Sequence, residues 1–439
     1  MSRFRTSTIK QDGSAGNYNG VTSLEFFEMD LPNKLHCILH RDTRIPMINL
    51  TIGYNVGSRD EIKNKRGIAH LFEHLMFQGS EHVKKNEHFS QLMKLGGTCN
   101  AFTMQDSTVY YDIAPSNNLE TVLWLESDRM NSLDLTEENL TNQKKVVIEE
   151  KKQRFENAPY GSLMNKLFEN VFKNSAYEYP VIGFEKDINS FTVKEALEFH
   201  RNYYSPENSV LILTGDFSLK HAQDLISKYF SGIMKSNKIH REENIIKKIK
   251  ADRHVEVYDN IQLPMLCIAY QLPKAGSPEE YSMEYFTEII ANNKSSRLYK
   301  KLVYEEKLVR SVRAEKLMLR DGGILFFSAQ INPGVDVRMI EDIIHDSIND
   351  IVTNGCSDEE FETIKNQLEF GNTAKYLRLL NVSVNTVFKY LYFKDISGVN
   401  NEIKKYLSVT KEEMLNSAKE YLLNNKRITL TYLPMNNKK

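Results

Sequence analysis

Residues 45–61, IPMINLTIGYNVGSRDE, decide the fold, because residues 263–280, LPMLCIAYQLPKAGSPEE, repeat their plan. Each stretch begins with an apolar, strand-like run that includes a proline and continues through a Gly-Ser turn. An amphipathic helical stretch then follows in both places. It contains HLFEH at residues 70–74 in the first copy and FTEII at residues 286–290 in the second. The pattern predicts one structural unit that occurs twice in the chain.

The parallel extends to residues 107–146 and 322–368, which both read as a strand, a proline-containing loop, a long helix and an acid-rich helix start. A repeat of about 220 residues is too long for a solenoid unit and indicates a duplicated domain. Closely spaced strands combined with long helices favour an α+β fold over a doubly wound sheet. We therefore expect two homologous domains, each a mainly antiparallel sheet packed with helices.

The duplication also sets the expected domain boundaries within 439 residues, a length that suits two or more domains. The stretch 236–253 is charged and lacks turn residues, so it reads as part of a linker. The second copy is degenerate, because it lacks HLFEH. The expected parts are a flexible N-terminal arm at 1–24, a first domain at 25–232, a linker at 233–253 and a degenerate repeat domain at 254–439.

Composition excludes several classes of protein. The formal net charge of -1 provides no general attraction for nucleic acid, and no stretch approaches the roughly 18 apolar residues of a membrane span. The four cysteines have no CxxC spacing, so neither a thiolate metal site nor a disulfide framework is expected. A cytoplasmic location fits these thiols. A periplasmic or organellar location is the alternative if a targeting segment is missing or is the N-terminal arm.

HLFEH carries the chemistry. On a helix, His70 and His74 project from the same face and can bind one divalent ion, for which Zn²⁺ suits nitrogen ligands best. Glu73 can lean towards the same ion without binding it and take a proton from water as general base. The order HxxEH is the inverse of the commoner HExxH motif. The alternative is a structural role, with two histidines on a polar helix face paired with Glu73.

A hydrolytic zinc site needs a third protein ligand, for which Glu150 is the candidate. Leu140, Gln143, Val147 and Glu150 follow one stripe of a helix, so Glu150 points towards the interior, whereas Glu149 is rotated away by roughly 100°. A carboxylate on an apolar stripe needs a partner. Zinc would be one, giving one ion per chain, and an ion pair with Lys or Arg is the alternative.

Four segments carry a resemblance to a known family: GIAHLFEHLMFQGS, GGTCNAFTMQDSTVYYDIAP, VVIEEKKQRFENAPYG and FHRNYYSPENSVLILTGDF. They resemble the pitrilysin/insulinase class of zinc peptidases, especially the subunits related to mitochondrial processing peptidase. The resemblance covers most of residues 25–225 and is looser beyond. It implies a zinc-dependent endopeptidase in which His70, His74 and Glu150 bind zinc and Glu73 is the general base.

The same resemblance implies how a peptide substrate binds. In the family, the strand that corresponds to Asn100, Ala101 and Phe102 pairs with the backbone of the peptide. Such strand addition recognises main-chain groups and therefore tolerates varied peptide sequences. An ordinary edge strand is the alternative. Gln143 stands where many relatives have a glutamate, and its amide can form a hydrogen bond near the zinc ligands but cannot carry a charge.

A second departure concerns the other half of the chain. Catalytically complete relatives carry an Arg and, seven residues later, a Tyr, where this chain has Val303 and Arg310. Arg297 and Tyr304 have the right separation but lie six residues early. We therefore expect a homodimer or heterodimer in which a second chain supplies the Arg/Tyr pair. The alternative hypotheses for the function are a non-catalytic assembly subunit, like the core subunits of the respiratory cytochrome complex, and a peptide-binding module.

Four other histidines are expected to have no chemical role. His82 and His88 lie in a charged, loop-like stretch and are expected to be solvated. His36 and His40 are expected to share the solvated face of one strand.

Overall fold

The computed structural model describes residues 4–5, 23–236, 239 and 241–435. The chain divides into two compact units, each made of three segments. The first comprises Met1–Glu149, Pro180–Glu242 and Asn372–Glu402, and the second comprises Glu150–Tyr179, Glu243–Gly371 and Ile403–Lys439. Each unit therefore includes a segment from the other half of the sequence, which a single division at residues 233–253 does not provide. The expected flexible arm lies outside the described residues, apart from 4–5 and 23–24.

The first unit contains a seven-stranded sheet. Its strands are β1 (Phe4–Arg5), β2 (Phe27–Asp30), β3 (His36–Arg41), β4 (Met47–Tyr54), β5 (Thr98–Thr103), β6 (Thr108–Pro115) and β7 (Ser209–Gly215). Their order in the sheet is β1-β2-β3-β7-β4-β6-β5. The β3/β7 pair is parallel and the other described pairs are antiparallel.

The second unit repeats this plan in a five-stranded sheet. Its strands are β8 (Arg253–Asp259), β9 (Met265–Leu272), β10 (Val309–Met318), β11 (Gly323–Ile331) and β12 (Arg427–Pro434), in the order β10-β11-β9-β12-β8. Here too one pair, β8/β12, is parallel and the others are antiparallel. The shared order and pairing confirm the predicted α+β fold with two mainly antiparallel sheets.

Fourteen α-helices occur in the described part of the chain. They are α1 (Ile68–Leu75), α2 (Glu87–Lys94), α3 (Leu119–Asn131), α4 (Glu137–Lys151), α5 (Leu163–Val171), α6 (Glu185–Ser190), α7 (Val193–Tyr203), α8 (Leu219–Phe230), α9 (Pro278–Thr287), α10 (Val337–Asn354), α11 (Asp358–Lys375), α12 (Leu379–Phe393), α13 (Ser397–Leu407) and α14 (Lys411–Ala418). Within the described ranges, none of them is long and apolar enough to cross a membrane.

Helix α12, from the second half of the sequence, packs on the sheet of the first unit. Its side chains Val382, Val387 and Leu391 join Val210 and Ile212 of β7 in one buried cluster. β4 accommodates the helix through Gly53, where an added Cβ would lie 2.3 Å from the Val387 Cγ1. A glycine in mid-strand is thus explained by the close approach of a helix.

The same helix overturns the expected solvation of β3. His36 stacks on Tyr390 of α12 with ring centroids 4.4 Å apart, and its Nε2 lies 3.0 Å from a Glu28 carboxylate oxygen. His40 is buried, and its Nδ1 lies 2.8 Å from the carbonyl oxygen of Glu25. The prediction of a wet face was wrong, because a helix distant in sequence covers this side of the sheet.

In the second unit, both faces of β9 are buried. Leu266, Ile268 and Tyr270 lie in a core cluster with residues of α9, α10 and α14. The alternate residues Cys267 and Ala269 lie in a second cluster, together with Leu167, Phe168 and Val171 of α5. This explains why the second copy of the repeat is a nearly continuous apolar run rather than an alternating one.

Candidate metal centre

Helix α1 carries HLFEH and buries one side. Ile68, Leu71, Phe72 and Leu75 are buried, whereas the set formed by His70, Glu73 and His74 is half-buried. The apolar spacing therefore fixes the helix in the first unit and leaves the three polar side chains on a common, accessible face.

The N-terminus of α1 is held by the buried carboxyl group of Glu61. Glu61 accepts hydrogen bonds from the backbone N–H groups of Gly67 at 2.8 Å and Ala69 at 2.9 Å. Burial raises the pKa of Glu61 to about 8, although these two backbone donors act in the opposite direction. Two of the unpaired donors at the helix start are thereby satisfied.

Two glycines let the chain approach α1 closely. Gly67 has a φ of 97°, in the left-handed region, and a Cβ there would lie 2.9 Å from the Cα of Gly183. At Gly183, which also has a positive φ, a Cβ would lie 2.3 Å from the Cα of Gly67. Two segments of backbone cross at the start of the HLFEH helix, and each of them requires a glycine at the crossing.

The three predicted zinc ligands converge. One ligand atom from each of His70, His74 and Glu150 can be chosen so that all three lie within 4.8 Å of one another. Two imidazoles and one carboxylate are a donor set that suits zinc and leaves a coordination position open for water or substrate. The residues present therefore fit the ion that the sequence predicts.

Helix α4 delivers the carboxylate as its stripe indicates. Leu140, Gln143 and Val147 are buried, Glu150 is half-buried and Glu149 is exposed. The helix continues beyond Lys151 as a π-helical turn, and such turns are frequent at functional sites.

Glu150 also has a cationic neighbour. Its Oε1 lies 2.8 Å from Nη1 of Arg154, whose side chain is 71% exposed. An exposed arginine can turn into solvent at little cost, since exposed ion pairs contribute about 0–1 kcal/mol. The ion pair considered as the alternative for Glu150 is thus present and compatible with metal binding.

Thr103 was not among the predicted site residues. This last residue of β5 donates a hydrogen bond from its hydroxyl to a Glu73 carboxylate oxygen at 2.6 Å. It follows Ala101 by two residues and so shares its face of the strand. The two-residue spacing of Ala101 and Thr103 in the NAFT stretch was the one sequence signal that could have suggested the contact between Thr103 and the active-site face.

The residues predicted to bind substrate lie on an edge strand. β5 ends the seven-stranded sheet in the described structure and pairs there with β6. Asn100 is exposed, while Ala101 and Phe102 are half-buried. The Asn100 side-chain oxygen accepts the N–H of Ala101 at 2.8 Å, so a pairing peptide would have to displace this local contact if it uses that donor.

The remaining residues considered in the sequence lie in the second unit. Val303 packs against the core cluster of that unit, and Arg310 is an exposed residue of β10. Arg297 donates to Asp350 at 2.8 Å and to Glu360 at 3.1 Å. The shifted Arg297/Tyr304 pair is therefore a poor substitute for the missing pair, because its arginine is engaged within the unit.

Two models of one protein family match successive parts of the chain. Residues 38–184 match the family "Insulinase (Peptidase family M16)", and residues 190–368 match "Peptidase M16 inactive domain". The chain is 26% identical over 399 residues to the zinc protease PqqE of Helicobacter pylori, covering 90% of this chain and 89% of that protein. It is 23% identical over 344 residues to the mitochondrial ubiquinol-cytochrome-c reductase complex core protein I of Euglena gracilis, covering 72% and 68%.

A solved structure described as a protease from Helicobacter pylori superposes with a TM-score of 0.88 at 25% identity, covering 94% of this chain and all of that one. The sequence matches, the two-sheet fold and the solved relative agree. The chain belongs to the insulinase family of peptidases, family M16.

Proposed function

We propose that this chain is a zinc-dependent endopeptidase subunit whose metal is held by His70, His74 and Glu150. The observation that carries the proposal is the convergence of these ligand atoms within 4.8 Å on two helices far apart in sequence. The zinc proteases among the relatives support it at the level of the family.

The catalytic roles follow from the positions of this chain's own side chains. When bound, zinc supplies the Lewis acidity that lowers the pKa of water and polarises a carbonyl. Glu73, oriented by the Thr103 hydroxyl, accepts the proton and returns it to the leaving amine as general acid. The outer edge of β5, at Asn100, Ala101 and Phe102, aligns the peptide backbone by strand addition.

The proposal includes a second, different chain. Val303 offers no hydrogen-bond donor from its side chain and Arg310 offers no phenol, so a homodimer would lack the Arg/Tyr pair in both copies. A heterodimer with a related chain that carries the pair would provide it. The four cysteines are free in the described structure, and we place the assembly in the cytoplasm.

Metal analysis of the isolated chain tests the site without relying on activity. We expect about one zinc equivalent at the proposed ligands in the wild type and in Glu73→Gln, and its loss in His70→Ala. In the assembled enzyme, Glu73→Gln should abolish hydrolysis while zinc is retained. Unchanged hydrolysis by that variant would remove Glu73 as the base, and a zinc content in His70→Ala equal to that of the wild type would remove the ligand set.

A second candidate function is that of a non-catalytic core subunit, favoured by the relationship to core protein I of Euglena gracilis. The two functions differ in their dependence on Glu73. A core subunit would assemble normally and show no zinc-dependent hydrolysis in the wild type or in the variant.

A further inference from the structure

A second group of potential metal ligands lies behind the edge strand of the first unit. His88 of α2, Cys99 of β5 and Asp112 of β6 each present one ligand atom, and these three atoms lie within 4.8 Å of one another. The Nε2 of His88 is 3.2 Å and 3.1 Å from the two Asp112 carboxylate oxygens. Cys99 and Asp112 are directly opposite each other in the β5/β6 register.

The burial of His88 contradicts the expectation that it is solvated. Only 4% of its surface is exposed, because α2 turns His88 and Leu92 towards the interior with the spacing of one helical turn. The ring of Phe77 meets the His88 ring edge to face at 5.7 Å. A charged sequence neighbourhood gave the wrong prediction, since the inward face of a short amphipathic helix was not recognised.

An ion pair lies beside the group. The neighbouring Glu126 and Arg129 form an ion pair, with Nε to Oε2 at 2.9 Å. The Arg129 guanidinium also lies over the rings of Phe77 and Tyr110. If a divalent ion displaces the thiol proton of Cys99, the Asp112 carboxylate and the Cys99 thiolate carry two negative charges, which that ion neutralises.

We propose that His88, Cys99 and Asp112 form a second metal site for a divalent ion of the zinc type. Imidazole nitrogen, thiolate sulfur and carboxylate oxygen are all established zinc ligands, and a water molecule would complete a tetrahedral set. The bound ion would join α2 to the β5–β6 hairpin at the residue next to Asn100. It would thereby brace the strand to which peptide pairing is assigned, and ion binding would release the thiol proton of Cys99.

Cobalt spectroscopy of the chelator-treated full chain tests the site, with Co²⁺ alone as the probe. The His70, His74 and Glu150 set contains no sulfur, so a sulfur-to-cobalt charge-transfer band in the near ultraviolet reports Cys99 specifically. We expect about two Co²⁺ equivalents and this band in the wild type. His70→Ala should lose one equivalent and keep the band, so failure of the peptidase proposal is distinguishable from failure of this one.

Cys99→Ser provides the decisive comparison, since it changes one atom at a half-buried position. It should lose the band and one equivalent, and the matched variant Cys356→Ser, at another half-buried cysteine, should lose neither. His88→Ala should also lose the second equivalent. A wild type with one equivalent and no band, or a band that persists in Cys99→Ser, would overturn the second site.

Discussion

Thr103 holds the proposed general base by a charge-assisted hydrogen bond, and its replacement tests that role. Thr103→Val preserves shape and removes the donor to Glu73. We expect kcat in the active assembly to fall by about tenfold, equivalent to about 1.4 kcal/mol, with KM and zinc content unchanged. Thr103→Ser should restore most of the rate. A variant in which only KM rises would place Thr103 in substrate binding instead.

The ion pairs of the buried Glu402 lead us to expect that acid destabilises the first unit. Burial would raise its pKa, but Lys375 at 2.9 Å and Lys389 at 2.7 Å lower that pKa to about 2. Because the pKa of the folded state lies below the unfolded value near 4.5, the stabilisation is complete above about pH 4.5 and is lost as the pH falls towards 2. It amounts to at most about 3 kcal/mol.

Denaturant unfolding at a series of pH values measures this contribution. Lys389→Met should be less stable than the wild type at pH 7, and the difference should shrink as the pH falls from about 5 to 2. Lys220→Met, which removes an exposed partner of Asp224, is the control and should change little. A difference that is independent of pH would show that Lys389 acts through packing.

At the residue scale, the sequence was informative wherever local spacing determines chemistry. His70 and His74 share a helix face by their separation, and the stripe through Leu140 and Val147 orients Glu150. Strand parity at Thr103 and the inward face of α2 at His88 were local signals, but the partners of these residues, Glu73 and Asp112, lie in elements distant in sequence and could not be identified from spacing.

Helix α1 depends on the carboxyl group of Glu61 at its start. Glu61→Ala leaves the buried N–H groups of Gly67 and Ala69 without this acceptor, so we expect the free energy of unfolding to fall by about 2–3 kcal/mol and zinc to bind more weakly. Glu61→Gln retains one acceptor oxygen and should lie between. Chelator competition and denaturant unfolding measure the two effects. Unaltered zinc affinity in Glu61→Ala would show that the ligand geometry is maintained without the cap.

The contact between β4 and α12 gives a second prediction for the elements. Gly53→Ala places a Cβ against Val387, and we expect it to destabilise the protein by about 1–3 kcal/mol. Combining it with Val387→Ala should cost less than the sum of the two single changes. Gly232→Ala, where no atom lies within 4 Å of the added Cβ, is the control. Additive effects would contradict direct contact between the two positions.

At the element scale, the repeat predicted the class of fold and the strand–helix succession of both halves. The order of strands within each sheet could not be derived, because pairing partners such as β3 and β7 are separated by well over a hundred residues. The packing of α12 on the first sheet could not be predicted from the sequence either. His36 and His40 were wrongly expected to be solvated for that reason.

For the whole molecule, the missing pair is the feature that decides whether one chain suffices. We expect the isolated wild-type chain to bind zinc and cleave peptides poorly, whereas Val303→Arg combined with Arg310→Tyr should raise its zinc-dependent turnover by at least about tenfold, a gain of about 1.4 kcal/mol. Adding Glu73→Gln to the double variant should abolish the gain.

Because Val303 packs against the core of its unit, unfolding measurements must accompany that assay. The single variant Arg310→Tyr, at an exposed position, serves as the matched control and should gain little alone. Robust turnover by the isolated wild-type chain, without any co-purifying protein, would contradict the two-chain proposal.

The exchange of segments between the two units has a consequence for the order in which the chain can fold during synthesis. The sheet that carries the HLFEH helix is complete in hydrogen bonding once β7 ends at Gly215, but its cover, α12, is translated only after residue 379. An apolar face of the sheet therefore remains uncovered while about 160 further residues are synthesised, at roughly 5–20 residues per second. The nascent protein is exposed to chaperones and proteases over that interval, and premature termination anywhere before α12 yields a chain that lacks the helix covering this face of the sheet.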